Sequence, residues 1–478
     1  MKKTQLAFCR GYCGLASFAL LLFAACADTY DADETFSGGV RNAQLSSPAE
    51  ADITITPSTD GSSQTISWPV VYGAGGYELH LVNAGNESLI MADTIDGCSV
   101  TVPREDDVNY RLELRTLGNA KLNNRDAAET TMKSFSTFTA SFAAIPEGDL
   151  YTWFVQNPIP DDSIGINLNY DLAAGGHYTL SHDLDFGLHI VTLRSTSKEN
   201  HATITFDGDY TIQSATGMSM KYLDFDCSKA VKSPVFELSP TPPDTIKGIT
   251  GKGDYYNIMY AWTINSCNFE GVNYQLIYDN NEKYCLETLM ITNCNIHMTT
   301  DPETGINGNA FIYFKLGYAN TTIVQYCTFW NTGEGAAKYF LQHGNNNRCD
   351  RAGYVSNLVS YVKNTFYNLN CQQWSNYSGF SGRATSQWVC TGNIFYECGP
   401  QVARRILGGR SADSYSSINF SNNTYWVEGE PETGQDSYDT GFQLTTDPAF
   451  VDPAHGNFTP TGAEQVERKT GDPRWFND

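Results

Sequence analysis

Ser266-Cys267-Asn268-Phe269 is the first copy of a short phrase that recurs along the chain up to Trp426. The later copies are Asn293-Cys294-Asn295-Ile296, Tyr326-Cys327-Thr328-Phe329, Lys363-Asn364-Thr365-Phe366, Gly392-Asn393-Ile394-Phe395 and Asn422-Asn423-Thr424-Tyr425. Their Cys or Asn residues stand at 267, 294, 327, 364, 393 and 423, so the steps are 27, 33, 37, 29 and 30 residues. Repeats of this length with alternating small-polar and large-apolar residues predict a right-handed parallel β-helix.

The alternation within each copy predicts which side chains face inward. Because stacked coils lie about 4.8 Å apart, equivalent residues form columns along the helix axis. One interior column is predicted from the Cys or Asn of each copy, and an apolar column from the residue two positions later, such as Phe269 or Tyr425. We interpret both as core packing with an asparagine ladder.

The composition is that of a folded all-β protein. The 478 residues are 41% hydrophobic and 13% aromatic, without a long amphipathic helical pattern. Acidic residues outnumber basic ones by 53 to 30, and the net charge of −23 argues against nucleic acid or an anionic membrane as a partner. The length predicts two or three folded units.

Residues 1–26 have the pattern of a signal peptide, in which basic residues precede an apolar run too short to span a membrane. The run ends Leu22-Phe23-Ala24-Ala25-Cys26, which resembles a bacterial lipoprotein box, so Cys26 is the predicted lipidation site. The acidic tether 27–45 resembles the surface-export signal of Bacteroidota lipoproteins. We therefore expect a lipid anchor in the outer membrane, facing the exterior, with periplasmic retention as the alternative.

Residues 46–141 contain seven short alternating segments separated by turn residues, a pattern that predicts a β-sandwich. Trp68 and the later Tyr110-Arg111-Leu112-Glu113-Leu114 make this region resemble a fibronectin type III module. We expect a spacer, with a binding unit as the alternative. Residues 142–478 are predicted to form a connector, the end caps and the β-helix, in which stacked Cys267, Cys294 and Cys327 stay buried free thiols rather than disulfides.

The candidate site comes from a second set of strands, one upstream of each phrase. They begin at Leu276, Ile312, Phe340, Phe380 and Ile406, and the fourth residue of each is predicted to point outward. Those residues are Asp279, Lys315, His343, Arg383 and, one step late, Arg410. Basic groups on a flat sheet suit an extended anionic polysaccharide, since they pair with uronate carboxylates. A solvated salt-bridge ladder is the alternative.

Two tryptophans and a carboxylate extend this site. Trp374 and Trp388 are candidate platforms for sugar rings, with burial in the core as the alternative. A polysaccharide lyase needs a base and a cation that neutralises the uronate carboxylate. Lys315 or Arg383 is the candidate base, and Asp279 the candidate ligand for a Ca²⁺ ion. The outward positions of the candidate site contain no pair of catalytic carboxylates, which disfavours hydrolysis.

The lipoprotein box, the sandwich, the coils and phrases such as Leu223-Asp224-Phe225-Asp226-Cys227, Tyr278-Asp279-Asn280-Asn281 and Gly471-Asp472-Pro473-Arg474-Trp475 together resemble one family. It is that of pectate-lyase-like β-helix lipoproteins of Bacteroidota polysaccharide-utilisation systems. The resemblance implies a surface location and a plant or host glycan as ligand, and it supplies no catalytic set.

Two functions remain open from the sequence. The first is a surface lipoprotein that binds uronate-containing, pectin-like polysaccharide for the outer-membrane transporter components of a glycan uptake system. The second is a lyase that cleaves such a polysaccharide by β-elimination. In both, the lipid anchor is the only expected contact with the membrane.

Overall fold

The computed structural model describes residues 38–250, 253–306, 308–344, 356–376, 384–427, 438–439 and 442–476. Two compact units divide this chain, one ending at Phe138 and the other beginning at Thr139. Both units are built almost entirely from β-strands, as the sequence predicts.

The first unit is a β-sandwich of two antiparallel sheets, and all seven predicted strands are confirmed. Alternate residues such as Ile66, Leu79 and Leu112 are buried between the sheets, and Trp68 contacts the edge of Tyr77 at a ring distance of 5.3 Å. Assignment to the fibronectin type III family stays a prediction. In sheet order the strands are Thr54–Pro57, Ser63–Ser67 and Ser99–Pro103, then Ser88–Ile95, Ala74–Asn83, Asn109–Gly118 and Thr131–Ser136.

The second unit is the predicted right-handed parallel β-helix, in which each coil contributes strands to stacked parallel sheets. Within the described residues the first sheet contains Ala143–Ile145, Asn167–Leu172, Ile190–Ser195, Met218–Lys221, Trp262–Asn265, Tyr284–Thr292, Tyr318–Gln325, Leu358–Val362, Gln387–Thr391 and Ser417–Ser421. The second contains Gly148–Asp149, His177–Leu180, Ala202–Phe206, Leu223–Asp226, Asn268–Val272, Asn295–Met298, Thr328–Asn331, Thr365–Tyr367, Ile394–Tyr396 and Thr424–Trp426. The third contains Leu184–Asp185, Ile212–Ser214, Phe236–Leu238, Ile277–Tyr278, Ala310–Tyr313, Tyr339–Gln342 and Ser375–Asn376.

The recurring phrase forms the corner between the first and second sheets. The residue before each Cys or Asn has a positive φ, for example 53° at Ser266 and 54° at Asn422. A single residue in this left-handed conformation turns the chain sharply and lets the second strand begin at once. Asn and Gly adopt it with least strain, and Gly392 supplies it in one copy with a φ of 67°.

The predicted interior columns are confirmed. Cys267, Cys294 and Cys327 are buried free thiols, and the column continues through Asn364 and Asn393. The side-chain oxygen of Asn393 accepts hydrogen bonds from the backbone N–H of Asn364 at 3.0 Å and from its side-chain amide at 2.9 Å. Each ladder amide therefore satisfies buried donors of the preceding coil.

Residues 142–181, at the start of the second unit, contain the first coil strands and a helix, Leu150–Gln156. The helix buries Leu150 and Phe154 in the core of the β-helix. Further along the chain, the antiparallel strands Lys247–Thr250 and Gly253–Ile258 join the first sheet next to Tyr284–Thr292.

The closing segment contains the hairpin Phe450–Asp452 and Asn457–Pro460 and the helix Ala463–Arg468. Its end runs back over the outer face of the second sheet, where Asp472 accepts a hydrogen bond from Thr328 at 2.8 Å. Of the described helices, none is long and apolar enough to cross a membrane.

Candidate functional site

The outer face of the third sheet carries one continuous column of polar and aromatic side chains. Because paired strands keep their register, equivalent outward residues of seven coils follow one another over roughly 29 Å at about 4.8 Å per coil. We call this set the outer column; it consists of Asp185, Gln213, Glu237, Tyr278, Tyr313, Gln342 and Asn376.

Two stacked tyrosines stand at the middle of the outer column. The rings of Tyr278 and Tyr313 lie 5.5 Å apart with an angle of 22° between their planes. Both side chains are partly exposed, and burial together with the nearby Asp279 raises the pKa of each phenol. The pair therefore presents neutral, hydrogen-bonding aromatic surface to solvent at physiological pH.

Glu237 is the ionisable group next to the tyrosines. Its carboxylate accepts a hydrogen bond of 3.0 Å from Gln213 and one of 3.4 Å from Asn280. Burial, together with the charge of Asp183, raises the pKa of Glu237 to about 7 although the hydrogen bond from Gln213 lowers it. A carboxyl group with this pKa exchanges protons readily near neutral pH, which is a property of acid and base groups in binding and catalytic sites.

Asp279 lies beneath this surface rather than on it. Its side chain is fully buried, and its carboxylate accepts hydrogen bonds from the backbone N–H groups of Leu316, Gly317 and Asn281 at 2.8, 2.7 and 3.1 Å. A Cβ at Gly317 would lie 2.3 Å from the carbonyl oxygen of Tyr284, so this turn needs glycine. The prediction that Asp279 faces solvent, where it would contact sugar or Ca²⁺, is wrong; Asp279 instead holds the turn after Tyr313.

His343 is also buried, contrary to the prediction. Its side chain is 1% exposed and packs edge-on against Phe314 at 5.5 Å, and burial lowers the pKa of His343 to about 3. The cause is a register error of one residue: Ile277, not Leu276, pairs with Ile312. Shifting a strand by one residue moves every side chain to the opposite face.

The two tryptophan platforms are core residues. Trp374 is fully buried and stacks on Phe340 at 4.7 Å inside the β-helix. Trp388 is fully buried on the first sheet and packs against Tyr415 at 5.2 Å. The alternative of burial is therefore the one observed, and neither ring is available to a sugar.

The basic residues of the predicted site do not lie together in one column. Lys315 is exposed and follows Tyr313 on the turn that Asp279 holds. Arg410 is exposed, but the predicted strand from Ile406 is wrong, because a helix, Val402–Ile406, stands there and glycines with positive φ end it. Arg383 and the lipidation site Cys26 lie outside the described residues. The catalytic role of Lys315 stays a prediction.

The described part of the chain contains no group of three or more His, Cys, Asp or Glu side chains arranged to hold a metal ion. The outer column itself offers carboxylate, amide and phenol groups at a constant spacing along one line. Chemically this arrangement can donate and accept hydrogen bonds, stack on flat apolar faces and exchange one proton near pH 7.

Sequence reasoning missed the partly exposed Glu237, Tyr278 and Tyr313, and it missed Gln213, which lies in the same column but is buried. A signal was present, because each lies one position after a buried apolar residue in a short strand, as in Ile277-Tyr278 and Ile312-Tyr313. Aligning these pairs would have placed all the outward residues in one column.

Three family models match successive parts of the chain, and each describes a domain of unknown function. They cover residues 1–175 (DUF4992), 176–332 (DUF4957) and 322–475 (DUF5123). A comparison with curated proteins found no match.

Two solved structures are similar to the chain over most of its length. One is the pectate lyase PelI of Erwinia chrysanthemi in complex with tetragalacturonic acid, at 9% identity and a TM-score of 0.18, covering 82% of this chain and 86% of that one. The other is the pectate lyase Pel3 of Pectobacterium carotovorum, at 12% identity and a TM-score of 0.14, covering 83% of this chain and 92% of that one. At these values the likeness does not extend to the position or chemistry of a site.

Proposed function

We propose that this protein binds an extended polysaccharide along the outer column of the third sheet. The stacked pair of Tyr278 and Tyr313 is the observation that carries the proposal. Sugar rings have apolar faces that pack on aromatic side chains, while their hydroxyl groups need donors and acceptors at the rim. The column supplies rim groups on both sides of the pair, from Glu237 on one side and Gln342 on the other.

The proposed ligand contains uronate and is pectin-like. Lys315 is exposed two residues after Tyr313 and is the cation that we propose pairs with a carboxylate on a sugar ring stacked there. The raised pKa of Glu237, about 7, supports the same ligand, because a protonated carboxyl group donates a hydrogen bond to a uronate instead of repelling it.

We further propose that Cys26 carries lipid and that the protein acts at the cell surface. The β-sandwich would hold the β-helix away from the membrane as a spacer, and the bound chain would pass to outer-membrane transporter components. Labelling cells with a fatty-acid analogue tests the anchor: the label is expected on the wild-type protein and not on Cys26→Ser. Protease treatment of intact cells then distinguishes the outer from the inner face of the outer membrane.

Electrophoresis through gels containing a panel of pectins, alginate, glycosaminoglycans and neutral glucans tests binding. Retardation by uronate-containing polymers, reduced in Tyr278→Ala, supports the proposal. If every polymer leaves the mobility unchanged, the proposal fails.

A lyase is the second candidate function, favoured by the raised pKa of Glu237 and by the exposed Lys315 on the turn after Tyr313. Lyase action would release unsaturated uronate, which is followed by its ultraviolet absorbance with and without Ca²⁺. A rise in absorbance that disappears in Lys315→Ala establishes the lyase, whereas retardation without product leaves binding as the function.

A further inference from the structure

A second constellation lies on another face of the β-helix, where Glu270, His297 and Thr332 form a chain of short hydrogen bonds. Nδ1 of His297 lies 2.6 Å from Oε1 of Glu270, and its Nε2 lies 2.8 Å from Oγ1 of Thr332. The imidazole is 13% exposed, while the carboxylate and the hydroxyl are open to solvent. Three coils of the second sheet thus contribute a carboxylate, an imidazole and a hydroxyl in one line.

The carboxylate determines where the imidazole proton lies. An ionised carboxylate accepts hydrogen bonds only, so Glu270 binds the protonated Nδ1 of His297. In the neutral imidazole, Nε2 is then the acceptor, and the hydroxyl of Thr332 donates to it. This is the tautomer in which a histidine can take the proton of an attacking hydroxyl.

Two features hold this geometry in place. The imidazole stacks on Trp330 at a ring distance of 3.6 Å and an angle of 7°, and the Trp330 indole donates a hydrogen bond of 3.2 Å to Asn295. The strand that carries Glu270 has a β-bulge between Phe269 and Val272, with Gly271 at a φ of 75°. Phe269 pairs with Ile296, so the next residue, Glu270, lies beside His297 in regular register, and the extra residue of the bulge follows Glu270.

A depression lies on the segments that follow His297 and Thr332 in the chain. It has a volume of about 310 Å³ and is lined by residues 299–303, 333 and 334. Three of the lining side chains, Asp301, Glu303 and Glu334, are acidic. Their negative charge favours an uncharged acyl group over an anionic one.

From these observations we propose that Thr332, His297 and Glu270 form a hydrolytic site for small neutral carboxylic esters, such as acetyl groups. That the ester is carried by a glycan rests on the proposed function; the ester chemistry does not. Thr332 and His297 are the catalytic residues, and Glu270 is a positioning residue.

The reaction proceeds in two balanced steps. Oγ1 of Thr332 attacks the ester carbonyl carbon while its proton passes to Nε2 of His297, and the C–O bond to the alcohol breaks as Nε2 returns that proton to the leaving oxygen. Water then attacks the acyl-threonine and gives a proton to Nε2. The acyl–Oγ1 bond breaks, Oγ1 regains the proton, and the carboxylic acid leaves.

The test measures hydrolysis of p-nitrophenyl acetate by the full chain. We expect turnover above the buffer rate, lower by on the order of 10²- to 10⁴-fold in Thr332→Val and His297→Gln and retained in Thr332→Ser. Brief reaction followed by peptide mass analysis should find one acetyl group on Thr332. Thr205→Val and His177→Gln, on the same sheet but remote from the chain of hydrogen bonds, are the matched controls and should retain full activity.

Glu270→Gln separates positioning from a structural role. We expect kcat to fall while KM stays the same, because the amide no longer enforces the tautomer. Turnover that persists in Thr332→Val, or wild-type protein that does not exceed the buffer rate, overturns the proposal. Tyr278→Ala and Tyr313→Ala should not affect this turnover, so failure of the ester site and failure of polysaccharide binding are distinguishable.

Discussion

The carboxylate of Glu237 accepts a 3.0 Å hydrogen bond from the side-chain amide of Gln213 in the preceding coil, on the face where Tyr278 and Tyr313 stack. The amide stabilises the ionised carboxylate only in part, since burial still raises the pKa of Glu237 to about 7. The charge of the proposed binding surface therefore changes across the neutral pH range.

Polysaccharide affinity should depend on this proton. Uronate polymers keep their charge between pH 8 and pH 6, while Glu237 becomes protonated, so we expect binding to strengthen as the pH falls. Titration of polygalacturonate by calorimetry at several pH values measures the effect. Glu237→Gln should bind with nearly the same affinity at pH 6 and at pH 8. If this variant kept the pH dependence of the wild type, Glu237 would not be the group responsible.

Glu237 should also affect stability. Its folded pKa of about 7 lies above the ordinary glutamate value of 4.5, so the folded state binds the proton more tightly and stability falls as the pH rises from 4.5 to 7. Glu237→Gln should raise the free energy of unfolding at pH 8 by on the order of 1–3 kcal/mol relative to wild type, measured in urea. Glu467→Gln, at an exposed position of the last helix, is the control. Equal gains in both variants would refute this role of Glu237.

Asp279 should be essential for the turn that carries Lys315. Replacing it with Ala leaves the N–H groups of Leu316 and Gly317 buried without their acceptor, at a cost of about 1–3 kcal/mol for each unsatisfied group. Thermal unfolding of Asp279→Ala is therefore expected well below that of wild type. Exposed Asp413→Ala should unfold near the wild-type temperature, and an Asp279→Ala variant of wild-type stability would show that the buried contacts are dispensable.

The asparagine ladder should contribute more to stability than surface asparagines do. Asn393→Ala removes the acceptor for two donors of Asn364 and leaves a small void, so we expect a loss of about 2–4 kcal/mol in urea unfolding. Asn419→Ala, exposed on the first sheet, should change stability by less than about 0.5 kcal/mol. A similar loss in both would mean that the ladder amides contribute nothing specific.

Lys315 should determine selectivity for charged sugars. An exposed ion pair contributes about 0.2–1 kcal/mol, so Lys315→Ala should weaken binding of polygalacturonate by roughly 1.4- to fivefold. Added salt should reduce the difference from wild type, and binding of a methyl-esterified pectin should change little. Lys229→Ala, which lies next to the second sheet and pairs with Asp207, is the control. If Lys315→Ala lost the same affinity for polygalacturonate and for the methyl-esterified pectin, an ionic role of Lys315 would be excluded.

The β-helix could be predicted because the phrase at each corner keeps the same length. In every copy, the residue before the Cys or Asn adopts the left-handed conformation. The third sheet has no such marker. Its strands are two to four residues long, and Leu276 and Ile277 are both apolar and both buried, as are Phe340 and Leu341. Alternation therefore could not choose between two registers that differ by one residue, and the wrong one placed Asp279 and His343 at the surface.

The contact between Glu270 and His297 was accessible from the sequence, because each residue stands three positions after the Cys of its phrase and the paired strands keep that register. Thr332 could not be placed in this way, because it follows the strand Thr328–Asn331 and does not lie within it. The bulge between Phe269 and Val272 adds one residue without a reliable sequence signature.

Calorimetric titration with polygalacturonate measures how much the tyrosine pair contributes to binding. The titrated proteins are the wild type, a Tyr278→Ala/Tyr313→Ala double variant and Tyr260→Ala. Tyr260 is a half-exposed tyrosine outside the outer column. Loss of two stacking surfaces of about 0.5–1.5 kcal/mol each should weaken binding by roughly five- to 150-fold in the double variant, while Tyr260→Ala binds as wild type does. An unchanged dissociation constant in the double variant would contradict the account.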